Sequence, residues 1–282
     1  MLLLALVLAQ VLPGTKLLDP ISYRQVTVFP IARTGKTAPK SDALTLREGI
    51  SKKLVTVSER GDVNSVSVEN HTAHPLLLVG GEMILGGQQD RIIGHDQVVP
   101  PHRSAVVQVF CVEHGRWSGG RRFGAAGGIV DAGVRGKAKL HANQHEVWDE
   151  VAKKTAQMKA QTPTGTYRAI GESADEAIRP YREAIKPRME KLPDVVGVAS
   201  AVNGRIVAVD VFGAPELFAQ YRDRILDAVF VGAIGAAEDH DAPPATPAAV
   251  EKFVDKARAA KSESVVRSAN GEMLMDSALP AE

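Results

Sequence analysis

VVGVASAVNGRIVAVDVF, residues 195–212, is the stretch that decides the fold class. Two β-branched, apolar runs, Val195 to Val202 and Arg205 to Phe212, flank the dipeptide Asn203-Gly204. Asn and Gly tolerate positive φ at both central positions, as a two-residue hairpin turn demands, so the stretch reads as an antiparallel hairpin. Immediately after it, Ala214 to Val231 carries Leu217, Phe218, Tyr221, Ile225 and Leu226 at helical spacing, with Pro215 in the first turn. A hairpin followed by an amphipathic helix is the signature of a mixed fold.

Toward the C-terminus, Asp241 to Pro247 is an Ala/Pro linker. Thr246 then caps a helix that begins at Pro247 and carries Val250, Phe253, Val254 and Ala257 on one face. Ser264 to Asp276, turning at Asn270-Gly271, reads as a closing hairpin. Toward the N-terminus, Ser173 to Leu192 and His141 to Gln161 read as helices, the first kinked or broken at Pro180 and Pro187. Gly115 to Gly136, rich in Gly and Arg, reads as a long loop. The first half is strand-rich: Gln25 to Ile31, Leu54 to Val57, Val63 to Val68, Leu76 to Val79 and Ala105 to Glu113. Asp42 to Ile50 reads as one short helix capped by Asp42. Strands first, then helices mixed with hairpins, predict an α+β fold rather than a doubly wound parallel sheet.

The 282 residues suffice for one large domain or two small ones, and 44% hydrophobic with 24% charged residues is an ordinary globular balance. The expectation is a single α+β domain over residues 17–276, with a sub-boundary near Gly136 as the alternative. A net charge of +1 argues against a chain-wide footprint for nucleic acid or anionic membrane. The single cysteine, Cys111, excludes an internal disulfide and a multi-cysteine zinc site. Met1 to Leu12, MLLLALVLAQVL, is too short for a membrane span and suits the apolar region of a secretory signal, with Val7 and Ala9 ahead of a cleavage site near Gln10. Export, periplasmic or extracellular, is the resulting expectation. A buried first element in a cytoplasmic protein is the alternative. No later run is long enough to cross a membrane.

Polar residues concentrate between Gly80 and Trp117. Gly80-Gly81 and Gly86-Gly87 bracket Glu82-Met83-Ile84-Leu85, and Gln88, Gln89, Asp90 and Arg91 follow. Glycine permits left-handed backbone or close approach to a ligand, so the segment reads either as a polar rim around a pocket or as two turns bounding a strand. It lacks the Gly-Lys-Ser/Thr of a phosphate loop and the spacing of a dinucleotide fingerprint. In the second constellation, residues 110–117, a strand would place Val107, Val109, Cys111 and Glu113 on one face. A carboxylate beside a thiol raises its pKa, which disfavours Cys111 as a nucleophile. Glu113 with Arg116 reads as an ion pair at the strand end, and Trp117 as either a stacking platform or a cap on the core. Gly119 to Gly124, with Arg121 and Arg122, could cradle an anion or form a flap. His141 and His145 are four apart, but the intervening Glu of a His-Glu-x-x-His zinc motif is absent, and no metal or cofactor is expected.

Gly81-Glu82 through Gln89 and Arg91, Cys111-Val112-Glu113, Gly115-Arg116-Trp117, Gln144 with Trp148, and Val202-Asn203-Gly204-Arg205 to Phe212 together carry a resemblance. The chain resembles the bacterial ADP-ribosylglycohydrolase and rhodanese-phosphatase-superfamily-associated protein domain, from about Leu17 to Met275. The Cys-Val-Glu-x-Gly-Arg-Trp stretch is its most specific part. The resemblance implies association with ADP-ribose or phosphate-ester metabolism and supplies no catalytic residue. Three readings follow. The first is a domain binding an anionic or phosphate-bearing small molecule through Gln88, Gln89, Asp90, Arg91, Arg116 and Trp117. The second is a hydrolase of a phosphate- or glycosyl-linked bond with Glu82 or Glu113 as general base. The third is a structural module in which the same residues pair with one another. The sequence does not distinguish oligomeric states.

Overall fold

Asn203 and Gly204 both take positive φ, 47° and 73°. The ladder that they close runs from Gly197↔Val211 to Val202↔Arg205, with one register shift after Ser200. The computed structural model describes residues 12–35, 40–160, 162–236 and 238–280. Residues 1–11, which carry nearly all of the apolar leader, lie outside the described residues.

The chain opens with β1 (Thr15–Leu17), β2 (Ile21–Tyr23) and β3 (Val26–Arg33). The hairpin strands β13 (Val195–Val202) and β14 (Arg205–Phe212) and the closing pair β15 (Glu263–Arg267) and β16 (Met273–Ala278) join them. The result is a seven-stranded antiparallel sheet of order β1-β3-β13-β14-β16-β15, with β2 beside β3. The middle of the first half builds two further sheets. β4 (Leu44–Thr45), β7 (Leu76–Leu78) and β10 (Gln97–Val99) make a three-stranded one. β5 (Val55–Glu59), β6 (Ser65–Asn70), β8 (Glu82–Gly86), β9 (Arg91–Ile93), β11 (Ser104–Cys111) and β12 (Phe123–Ile129) make a six-stranded one of order β12-β8-β9-β11-β6-β5. The helices are α1 (Leu46–Ser51), α2 (Ala132–Gly136), α3 (Gln144–Gln157), α4 (Arg168–Glu190), α5 (Pro215–Ile234) and α6 (Pro247–Ala259), with a π-helical turn at Lys137–His141. The fold is α+β with a strand-rich first half.

Three apolar clusters order these layers. One face of the large sheet buries Phe29, Val196, Val209 and Val211 against Val250, Val254 and Ala257 of α6. The other face meets α4 and α5, and their far side packs on Met83, Ile92, Phe110 and Ile129 of the six-stranded sheet. The third cluster, Leu46, Val57, Val68, Leu76, Ile84 and Val109 among others, fills the space behind that sheet. β11 alternates between the clusters, Val107 and Val109 to one and Phe110 to the other, as period two requires. Burying such a side chain fully contributes about 1.5–3 kcal/mol, which is why these positions fix the register.

Three local expectations change. α4 is one element through Pro180 and Pro187, so of the kinked and broken readings the broken one falls. Its stripe Ala174, Ile178, Tyr181, Ile185 and Met189 is buried, and that packing outweighs the roughly 3 kcal/mol that each interior proline costs. The stretch from 115 to 136 is not all loop: its second half holds β12 and α2. β12 reads FGAAGGI and buries only Phe123 and Ile129, so it shows no alternation, and the exposed edge of β8 supplies its ladder. The short helix starts at Leu46 with Thr45 as cap, because Leu44 and Thr45 are taken up by parallel pairing with β7. The start signals read for α5 and α6 are present: Pro215 stands in the first turn of α5, and Thr246 Oγ1 caps α6 by accepting from the Ala249 amide at 3.2 Å.

Candidate functional site

The two constellations legible in the sequence meet in space, and their members bond to one another. Glu113 and Asp90 are nearly buried. Glu113 accepts from Arg116 Nε at 2.7 Å, the Asp90 amide at 3.0 Å and Thr164 Oγ1 at 2.8 Å. Burial would raise its pKa, but the hydrogen bonds from Arg116, the Asp90 amide and Thr164 outweigh it and hold the carboxyl below its ordinary value. Arg116 also meets Asp90 at 3.2 Å and donates to the carbonyls of Gly87 and Ser118, each at 3.0 Å. Gln89 is fully buried, donating to the Glu113 carbonyl and accepting from Cys111 Sγ at 2.7 Å. Burial, only partly opposed by Arg91, raises the Cys111 thiol pKa, so the thiol is held protonated. Arg91 is 1% exposed, pairs with Glu59 at 2.8 Å and lies over the Phe123 ring. Gln88 and Trp117 are exposed, Trp117 at 57%. Glu82 stands apart from this network.

Glu82 leads to a different place. Its Oε1 accepts from Arg224 Nη1 of α5, with both side chains buried. Among the described residues, Glu82 Oε2 and Arg224 Nε and Nη2 have no hydrogen-bond partner. Arg224 lines a cavity of about 490 Å³ between α4, α5, β8 and β12. The α5 wall is Arg224, Asp227, Ala228 and Val231, residues spaced to share one helix face. From α4 come Arg168, Gly171, Ile178, Arg182 and Lys186. Met83 and Leu85, alternate residues of β8, supply one side, and Gly127, Gly128 and Ile129 of β12 another. Gly127 and Gly128 fall in the register shift between Ala126 and Ile129 and take no cross-strand partner in the ladder.

Electrostatically the pocket is cationic at its base. Burial lowers the pKa of Arg224, but Glu82 and Tyr221 outweigh it, so the net direction is upward and the guanidinium is charged. Arg47 of α1 lies at the same pocket and donates Nη2 to the Gly127 carbonyl at 2.9 Å. Its pKa is lowered, by desolvation first and by the like charge of Arg224 second. Two guanidinium groups therefore line one pocket, and both feel the charge of Glu82. Asp227 is already engaged by Arg182 at 2.9 Å and Lys186 at 2.8 Å, and Arg168 reaches Glu172 at 3.7 Å. Tyr167 forms part of the wall. Its hydroxyl donates to Asp131 Oδ2 at 2.9 Å, and burial and then the charge of Asp131 push the phenol well above its ordinary pKa.

Two other cavities carry titratable groups on their walls. One of about 340 Å³ has Asp131 and Lys154 on its walls, 3.6 Å apart. One of about 700 Å³ is lined by Trp148 with His114 and His145, whose rings stand edge-on to the indole. Among the described residues no group of three or more His, Cys, Asp or Glu could hold a metal ion, and no helix is long and apolar enough to cross a membrane. His141 and His145 do not share a helix, because left-handed Ala142 (φ 51°) separates the π-helical turn from α3. Arg47, Arg168 and Arg224 escaped the sequence reading. The available signal was a charged residue inside the apolar face of Leu217 to Val231, three after Tyr221 and four before Ala228.

Residues 14–277 match a family model described as the ARG and Rhodanese-Phosphatase-superfamily-associated Protein domain. No curated protein and no solved structure matches the chain.

Proposed function

This chain belongs to the ARG and Rhodanese-Phosphatase-superfamily-associated Protein domain family, and from that premise we propose that it binds a small anionic, phosphate- or carboxylate-bearing molecule in the pocket over Arg224. The observation that carries the reading is the convergence of Arg47 and Arg224, with two guanidinium nitrogens of the latter buried and unpartnered. A desolvated donor without an acceptor costs about 1–3 kcal/mol, more when charged, and a bound oxyanion removes that cost. The family's description, which pairs it with ADP-ribosylglycohydrolase and rhodanese-phosphatase contexts, fits a phosphate-bearing ligand. In this reading the Glu113–Arg116–Asp90 network is a scaffold that fixes the loop from 114 to 122, and the ligand contacts expected of Gln88 to Arg91, Arg116 and Trp117 pass to Arg47, Arg168 and Arg224.

Calorimetric titration with ADP-ribose and simple phosphates tests it. Wild type is expected to bind at least one of them, and Arg47→Ala to weaken that binding at least fivefold. Indifference of the wild type to every anion tried refutes the reading. The hydrolase alternative keeps one supporting observation, the unpartnered Oε2 of Glu82, whose carboxylate is hydrogen-bonded to the pocket residue Arg224. Turnover of a bound phosphate ester that is unchanged in both Glu82→Gln and Glu113→Gln eliminates a carboxylate base at either position.

A further inference from the structure

We infer that the ligand of this pocket is an organic monoanion or monoester, one phosphate or carboxylate head on an apolar or aromatic body, rather than inorganic phosphate or a polyphosphate chain; this rests on the anion-binding reading above. Three features carry the inference. The first is the shape of the free donor edge. Arg224 is 6% exposed, and its Nη1 is committed to Glu82. Nε and Nη2 remain without an acceptor, side by side on one edge of the guanidinium, closed to solvent and with the group 4.7 Å from the Tyr221 ring centroid. Such an edge takes two oxygens of a single head.

The second feature is what lies beside the head. Met83, Leu85, Ile129, Ile178 and Val231 line the same cavity, whose volume of about 490 Å³ falls in the range of roughly 300–1,000 Å³ that holds organic ligands. An inorganic anion would leave that apolar wall in contact with water. The third is the charge already spent. Glu82 balances Arg224, and Asp227 engages both Arg182 and Lys186. Arg47, which among the described residues is held by a backbone carbonyl alone, is the cation left to balance a ligand's head, and Asp223 in the lining is paired with Arg222. That surplus suits one anionic group and opposes a chain of phosphates.

The test is calorimetry on the full chain with phenyl phosphate, benzoate, inorganic phosphate and pyrophosphate, using wild type, Arg47→Ala and Leu85→Ser. Leu85 is only partly buried, so its substitution leaves the fold intact, which circular dichroism verifies. Phenyl phosphate or benzoate is expected to bind at least tenfold more tightly than either inorganic anion, a difference of about 1.4 kcal/mol. Which of the two organic probes binds more tightly assigns the head as phosphate or carboxylate. Arg47→Ala is expected to weaken all binding, whereas Leu85→Ser lowers affinity only for the organic probes. Inorganic phosphate or pyrophosphate binding as tightly as phenyl phosphate overturns the inference and leaves the anion reading standing. If none of the four binds, both fall.

Discussion

Removing Arg224 alone should cost far more stability than removing it together with the charge of Glu82. Glu82 is fully buried, and among the described residues its ion-pair partner is the Nη1 end of Arg224. In Arg224→Met the carboxylate keeps its desolvation penalty and loses its partner, a change worth about 3–5 kcal/mol for a buried pair broken on one side. Against a total stability of about 5–15 kcal/mol this is a large fraction. At about 2–4 °C per kcal/mol for a chain approaching this size, melting should fall by roughly 10 °C. In Glu82→Gln/Arg224→Met both charges are gone and Gln still offers an amide to its surroundings. Most of the loss should return, leaving a deficit of about 1–2 kcal/mol, less than the two single losses summed, which is the signature of coupling between the sites. Urea unfolding followed by circular dichroism measures all four corners of the cycle. Equal losses in the single and double variants would show that the Glu82 charge is not held by Arg224, and the electrostatic account of the pocket would fail with it. The same double variant, stable enough to titrate, should have lost its affinity for phenyl phosphate.

Other consequences are directly measurable. Burial and the neighbouring Glu263 raise Asp276 from 3.8 to about 7, with Arg258 and Lys139 opposing. Because the folded value exceeds the unfolded one, the associated stability is complete below about pH 4 and lost as pH rises through 7. The full effect is at most about 4 kcal/mol, and Asp276→Asn should flatten the profile of urea midpoint against pH between 5 and 8. Cys111 is free, fully buried and held as a thiol by its surroundings, so a thiol-specific dye should label native protein at least a hundredfold more slowly than protein in urea. Arg116→Ala strips a donor from buried Glu113 and Asp90 and from the carbonyls of Gly86, Gly87 and Ser118, and should cost about 3 kcal/mol in urea unfolding while anion affinity at Arg224 stays within twofold.

What the sequence disclosed followed from local chemistry. The 195–212 hairpin, the Pro215 start of α5 and the Thr246 cap of α6 each rest on a few adjacent residues whose conformational preferences point one way. β12 was illegible for the opposite reason: Gly124, Gly127 and Gly128 carry no preference, and only the partner strand makes them extended. The prolines left a kinked and a broken α4 open, because what keeps the helix whole is its buried stripe, a tertiary quantity.

The site shows a deeper limit of reading along a chain. Dense polar residues drew attention to Gly80 through Trp117, and those residues do come together, but nearness in sequence also lets them satisfy one another. Glu113 reaches Arg116 three residues away, and Gln89, Asp90 and Cys111 complete the network with backbone groups. A group whose hydrogen bonds are already made has little left to offer a ligand. Arg224 and Arg47 sit instead on separate helices: Arg47 donates to the Gly127 carbonyl, while Arg224 meets Glu82, lies over the Tyr221 ring and keeps two buried nitrogens without a hydrogen-bond partner. Arg91, inside the dense segment, also keeps two such nitrogens, so what sets Arg224 apart is its place on the wall of a cavity that a second cation, Arg47, also lines, and only tertiary packing brings those two together.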